Sequence, residues 1–214
     1  MCDDLKGKLW DKKVKEFDKK NKNLLQYLDE GIRETVVALN LLGFPTIQSC
    51  EAHLDHGSPG PWVMIAAKNE PAVHFKKEKE VFKRIAKENN LKVKDIVRPI
   101  DDRAFELWKV ASLEYQKSER MPLYKKWEEK NDVLYKKLWD ICKEFYSSHN
   151  KKLDKNTTLN LMRGMNFIRF FNGKKDDILQ EKGKVVKLKK SDLKKRQEEM
   201  RLFTNFLKNK YLNS

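Results

Sequence analysis

Residues 29–42 constrain the fold more than any other stretch. Ile32, Val36, Val37, Leu39, Leu41 and Leu42 leave almost no polar face in the second half of this helical pattern. A helix that is apolar all round belongs inside a core. Gly43 stands where a C-terminal cap is expected, and Pro45 prevents continuation. The period then changes. Thr46-Ile-Gln-Ser-Cys-Glu51 alternates as a short strand, and Gly57-Ser-Pro-Gly-Pro61 is a dense turn cluster. Trp62-Val-Met-Ile-Ala-Ala67 is an apolar run of strand length. A buried helix that leads straight into strands points to helices packed on a sheet.

Glycine (8) and proline (6) are scarce in the 214 residues, which favours long helices with few breaks. Residues 4–26 read as an amphipathic helix, and Asn69-Glu-Pro71 reads as the start of another. From 70 to 149 the pattern is helical, interrupted near Asn89-Asn90, Arg98-Pro99 and Pro122. Leu134, Leu138, Ile141 and Phe145 give its clearest 3–4 spacing. Residues 157–171 return to strand character, with a hairpin turn expected at Arg163-Gly164. A short helix is expected at 176–181, and a last one from a Ser191 cap through Leu193, Met200, Phe203, Leu207 and Tyr211. The expected fold class is α+β, with a small, mainly antiparallel sheet of about four short strands at 46–51, 62–67, 157–162 and 166–171. Residues 1–69 and 150–175 supply helices and the sheet core of a single domain. Residues 70–149 form a helical insertion, and 176–214 a basic C-terminal helical segment.

Hydrophobic residues make up 39% of the chain, enough for a packed core and against wholesale disorder. No run approaches the roughly 18 apolar residues of a membrane helix, so no membrane partner is expected. Met1-Cys-Asp-Asp is charged too early for a secretory signal. Three dispersed cysteines make no disulfide framework. The expected location is the cytoplasm.

The most unusual segment is Gly43 to Gly57, which holds Cys50, His53 and His56 within seven residues. Three chemistries compete there. Cys50, His53 and His56 offer metal ligands at C-x2-H-x2-H spacing, with Glu51 or Asp55 as oxygen donors, but no second ligand pair supports a structural zinc site. Cys50 as nucleophile with His53 as base, or Glu51 and His53 sharing proton transfer, would make a catalytic site. In the third reading Cys50 is a small buried hydrophobe and the polar residues bond the turn backbone. A ligand site centred here would use Ser49, Cys50, Glu51, His53 and His56, with Trp62 as an apolar wall and Arg33, Arg163 or Arg169 supplying charge. The sequence identifies no cofactor and has no glycine-rich loop of the kind that cradles nucleotides.

Gly43-Phe-Pro-Thr-Ile-Gln-Ser-Cys-Glu-Ala-His53, followed by Pro61-Trp62-Val63, resembles a box in a family of small uncharacterised bacterial proteins. Those carry Gly-x-x-Thr-x-x-Ser-Cys-Glu-Gly-His after an apolar helix, then a strand opened by Pro-Trp. The Phe206-Leu-Lys-Asn-Lys-Tyr211 ending is similar too. The resemblance implies a compact domain with a distinctive box and carries no reaction. This chain departs at Ala52, where the pattern has glycine. If that glycine serves a φ > 0 turn or close approach, alanine weakens the site.

The formal charge is +15, and 38 of the 47 basic residues are lysine. Residues 151–214 hold 18 basic against 7 acidic groups, a net of +11, whereas 31–72 have a net of −2. The expected partner is therefore RNA or a ribonucleoprotein, held through the basic C-terminal third. Phe167 and Arg169 on one sheet face, with Arg163 at the turn, would stack bases, and Lys184, Lys187, Lys189 and Lys190 would grip phosphates. In the competing arrangement a helix covers that face. The alternatives are a small-ligand-binding protein or enzyme at the box, and a protein-interaction module built on the helical insertion.

Overall fold

A computed structural model describes residues 2–23, 28–54, 59–148, 154, 156–164, 166–173 and 189–214, the side chains of 2–4 and 18–23 excepted. The chain divides into two compact units, residues 1–68 with 131–214, and residues 69–130. The described residues hold seven helices and a four-stranded antiparallel sheet, so the fold is α+β with a C-terminal helix.

The first unit contains α1 (Cys2–Asn23), α2 (Glu30–Leu41), β1 (Thr46–Cys50), β2 (Trp62–Ile65), β3 (Leu159–Arg163) and β4 (Ile168–Asn172). The sheet order is β1-β2-β4-β3, antiparallel throughout. Val63 and Ile65 of β2 share a face with Phe170 and Ile168 of β4. That face joins Ile32, Val36 and Leu39 of α2 in one buried cluster. Leu138 and Phe145, from the part of helix 122–148 that belongs to this unit, complete the cluster with Met200, Phe203 and Leu207 of the last helix. Burying such side chains stabilises by about 1.5–3 kcal/mol each. The expected burial of the helix is thus met at Ile32 and from Thr35 to Leu39, while Leu41 and Leu42 stay half-buried and Glu30, Gly31 and Glu34 are exposed.

Gly43 closes α2 at φ +86°. Phe44 N donates to Leu39 O at 2.8 Å and Gly43 N to Asn40 O at 3.1 Å, a Schellman ending. Asn40 Nδ2 then donates to Thr46 Oγ1 at 2.7 Å, tying the helix end to β1. Between α2 and the last helix, the Thr35 and Thr204 hydroxyls meet at 2.6 Å in the core. Thr204 Oγ1 gives its proton to Met200 O at 2.8 Å, so Thr35 must be the donor of the pair.

Several boundaries move from their expected places. The hairpin does not turn at Arg163-Gly164. Gly164 N donates to Phe167 O at 2.9 Å and Arg163 pairs with Ile168, so the connection is 164–167. The turn moves two residues toward the C-terminus, and each strand starts two residues and ends one residue later than expected. An even slip keeps every side chain on its expected face, and Leu159, Ile168 and Phe170 are in the core. The strands at 46–51 and 62–67 end earlier, at Cys50 and Ile65. The last helix, α7 (Lys190–Leu212), has Lys189 rather than Ser191 at its cap position and no side-chain cap bond. The expected helix at 176–181 lies outside the described residues.

The second unit contains α3 (Glu78–Glu88), α4 (Val93–Val97), α5 (Asp102–Tyr115) and the first part of α6 (Pro122–Ser148), with residues from 131 onward in the first unit. No helix starts at Asn69-Glu-Pro71. Asn69 adopts φ +60°, and helix begins only at Glu78, whose carboxylate accepts from His74 N at 2.6 Å and Phe75 N at 3.2 Å. Phe75 is meanwhile bridged to Arg120 in an isolated antiparallel pair. The expected breaks are present at Asn90 (φ +54°), at Arg98-Pro99, where α4 has ended and before Asp101 caps α5 through Ala104 N at 2.7 Å, and at Pro122.

Candidate functional site

β1 delivers the box to the N-terminus of α2. The strand ends at Cys50, and Ala52 takes φ +73° while being 1% exposed. This is the position where the resembling pattern carries glycine, and a left-handed alanine costs about 1–2 kcal/mol. The surroundings hold it there. Glu51 N donates to Asp29 Oδ2 at 2.9 Å, and Gln197 Nε2 from α7 reaches the carbonyls of Glu51 and Ala52 at 3.3 and 3.4 Å. Strain retained in this way marks functional sites more often than ordinary turns.

Asp29 occupies the cap position of α2, yet its side chain makes no cap bond. It turns instead to Glu51 N and to His53 Nε2, 3.4 Å away. The helix terminus is served by Glu51, whose Oε2 accepts from Gly31 N at 2.6 Å. A Cβ at Gly31 would stand 2.6 Å from that oxygen, so glycine permits the approach. Two carboxylates thus face the positive end of α2. Ala52 N donates to Cys50 Sγ at 3.4 Å. Cys50 Sγ, a His53 ring nitrogen and an Asp29 oxygen all lie within 4.8 Å of one another. Cys50 and His53 are half-buried.

Beside the box is a cleft of about 610 Å³, lined by Gly31, Ile32, Glu51, Pro61 and Met200, and by Lys194, Gln197, Glu198 and Arg201 of α7. Arg201 forms a forked pair with Glu198, at 2.6 and 2.7 Å. These bonds hold the Arg201 guanidinium more firmly protonated than usual.

The other expected site residues go elsewhere. Ser49 pairs with Val63 and so stands on the core face of the sheet, opposite to Cys50. Trp62 faces Cys50 across the strands and carries the Arg169 guanidinium 4.5 Å from its ring. The apolar wall of the cleft is Ile32, Pro61 and Met200. Arg169 is 7% exposed and Phe171, on the same face, 2%. Arg163 is ion-paired with Asp132 at 3.1 Å, and Phe167 folds its ring over Gly164. Lys189 and Lys190 are exposed at the start of α7. His56, Asp55, Lys184 and Lys187 lie outside the described residues.

Sequence reasoning missed Asp29, Gly31, Gln197 and Arg201. Asp29 carried a signal, because an acid before a helix is an ordinary cap; nothing in the sequence shows that it is diverted to the box. The thiol of Cys142 offers a contrast with Cys50. Burial pushes it up to about 12, which keeps it neutral and unreactive. Chemically, the half-buried thiol, imidazole and carboxylate provide either a metal-ligand set or a nucleophile with a base and an orienting acid. No protein-family model, curated protein or solved structure matches the chain.

Proposed function

We propose that the protein binds a small polar molecule in the cleft at the start of α2, beside the Cys50–His53–Asp29 group, to which Glu51 of the cleft lining is joined through its bond to Asp29. One observation carries this reading: residues from the flank of α2 and the end of β1 converge, and their backbone is held by Gln197 in a strained conformation. The cleft volume of about 610 Å³ falls in the range of small-molecule sites. Its lining sets Glu51 and Glu198 against Lys194 and Arg201, so charge cancels. Such a lining suits a zwitterionic or neutral hydrogen-bonding solute better than a polyanion.

Thermal unfolding with pooled polar metabolites tests the reading. A ligand at about 100 times its Kd adds about 2.7 kcal/mol, a Tm rise of about 5–10 °C for a chain of this size. Arg201→Ala should reduce that rise. If no zwitterionic or neutral polar compound shifts Tm at millimolar concentration, the reading falls.

A second reading, RNA binding through the C-terminal third, is favoured by four exposed lysines at the start of α7: Lys189, Lys190, Lys194 and Lys195. Its signature is affinity that drops steeply with salt. A filter-binding titration with no RNA retained at low salt removes it.

A further inference from the structure

We infer that Asp29, Cys50 and His53 form a divalent-metal site of the zinc class, an inference that deepens the cleft reading by setting a metal beside the cleft, next to its lining residue Glu51. A carboxylate, a thiolate and an imidazole are the three donor types that zinc takes from proteins, and three protein ligands with a fourth position left over is the pattern of zinc sites that act on a bound molecule. The geometry is close to what the ion requires. Tetrahedral zinc with bonds of about 2.0–2.3 Å places its ligand atoms roughly 3.3–3.8 Å apart. Asp29 Oδ2 and His53 Nε2 are 3.4 Å apart, and no pair of the three ligand atoms exceeds 4.8 Å. Bringing any pair from that limit to tetrahedral spacing takes no more than about 1–1.5 Å of side-chain movement.

Charge and support agree with this assignment. A thiolate and a carboxylate neutralise a divalent cation, and the imidazole adds none. Glu51 N already donates to the Asp29 carboxylate at 2.9 Å, and Ala52 N to Cys50 Sγ at 3.4 Å. Such outer hydrogen bonds orient metal ligands. They also explain why Asp29 forgoes the cap of α2, a role that Glu51 fills. Metal binding releases the thiol proton, so affinity falls as pH is lowered.

The test titrates the full chain with zinc, and separately with cobalt, after chelator treatment and under reducing conditions. Native mass spectrometry should show one zinc per chain, and cobalt should give thiolate-to-metal charge-transfer absorption. Cys50→Ala and His53→Ala should each weaken binding at least 100-fold. Zinc should also slow alkylation of Cys50 in the unaltered protein, read by peptide mapping, which tests the site even if a variant misfolds. Micromolar zinc that leaves the protein metal-free, or a Cys50→Ala/His53→Ala chain that binds zinc as tightly as the original, overturns the proposal. Ligand stabilisation of the metal-free protein is measured in parallel. If it persists while zinc fails to bind, the metal proposal alone falls; if zinc binds and no polar compound shifts Tm, the cleft reading alone falls.

Discussion

The Glu51 carboxylate lies 2.6 Å from the backbone amide of Gly31, so the residue that follows β1 caps the helix that precedes it. The reverse link runs from Glu51 N to Asp29 Oδ2 at 2.9 Å. The two bonds clamp the exit of the strand to the entry of the helix, which sets the cleft and the Cys50–His53–Asp29 group on one frame.

Gly31→Ala tests the clamp. Its new Cβ would sit 2.6 Å from Glu51 Oε2 and displace the cap, a loss of about 0.5–2 kcal/mol. The better helix propensity of alanine returns less than about 1 kcal/mol. We expect a net destabilisation of about 1 kcal/mol by urea unfolding, and almost none when the change is made in a Glu51→Ala background. Equal losses in both backgrounds would show that the capping contact contributes nothing.

Ala52 gives a prediction of opposite sign. At φ +73°, glycine removes the left-handed penalty of about 1–2 kcal/mol but adds unfolded-state entropy of up to about 1 kcal/mol. Ala52→Gly should therefore leave stability unchanged or raise it by up to about 1 kcal/mol. Ala52→Val should lower it by more than about 2 kcal/mol, because a β-branched residue tolerates positive φ poorly. A clear loss of stability in the glycine variant would contradict the backbone conformation at the box.

How much of this was legible in the sequence depends on how local the cause is. Leu159, Ile168 and Phe170 announced their core face by alternation alone, and the face survived a two-residue slip that moved the turn. The Gly43-Phe44 ending of α2 was equally local. Ala52 was not, since an alanine gives no sign of left-handed backbone unless a glycine is expected there. Arg169 and Arg196 were also opaque. Arginine is ordinarily exposed, yet Arg169 packs on Trp62, and Arg196 is 4% exposed with its guanidinium on the Pro59 carbonyl at 3.0 Å. Such placements depend on partners 107 and 137 positions away. Gln197, which spans 146 residues to reach Glu51, hid the wall of the cleft for the same reason.

Arg196 yields a further prediction. Gly173 stands at φ +102°, and a Cβ there would come 2.7 Å from the Arg196 guanidinium carbon. Gly173→Ala combines a forbidden backbone with a collision against a buried cation, so we expect a loss above about 2 kcal/mol in chemical denaturation. Gly7, on α1 with nothing within 4 Å of its Cβ position, should gain slightly from alanine. A Gly173→Ala chain as stable as Gly7→Ala would contradict the packing of Arg196 against Gly173.

The alkaline limb of stability follows from two groups in the core of the first unit. Burial raises the Cys142 thiol from 9.0 to about 12. It also raises the Tyr146 phenol above its ordinary value of 10.0, against the opposing hydrogen bond from Leu159 N. Both groups are neutral when protonated, and both lose their proton more readily in the unfolded chain. Their contribution is therefore fully present below about pH 9 and declines as pH rises from there toward 12. Denaturation midpoints measured from pH 7 to 11 should hold level to about pH 9 and then fall. Cys142→Ala should lower the plateau through a small cavity and make the decline shallower, while Tyr146 keeps part of the slope above pH 10. A Cys142→Ala chain whose alkaline decline is as steep as that of the parent would show that the thiol does not ionise on unfolding in this range.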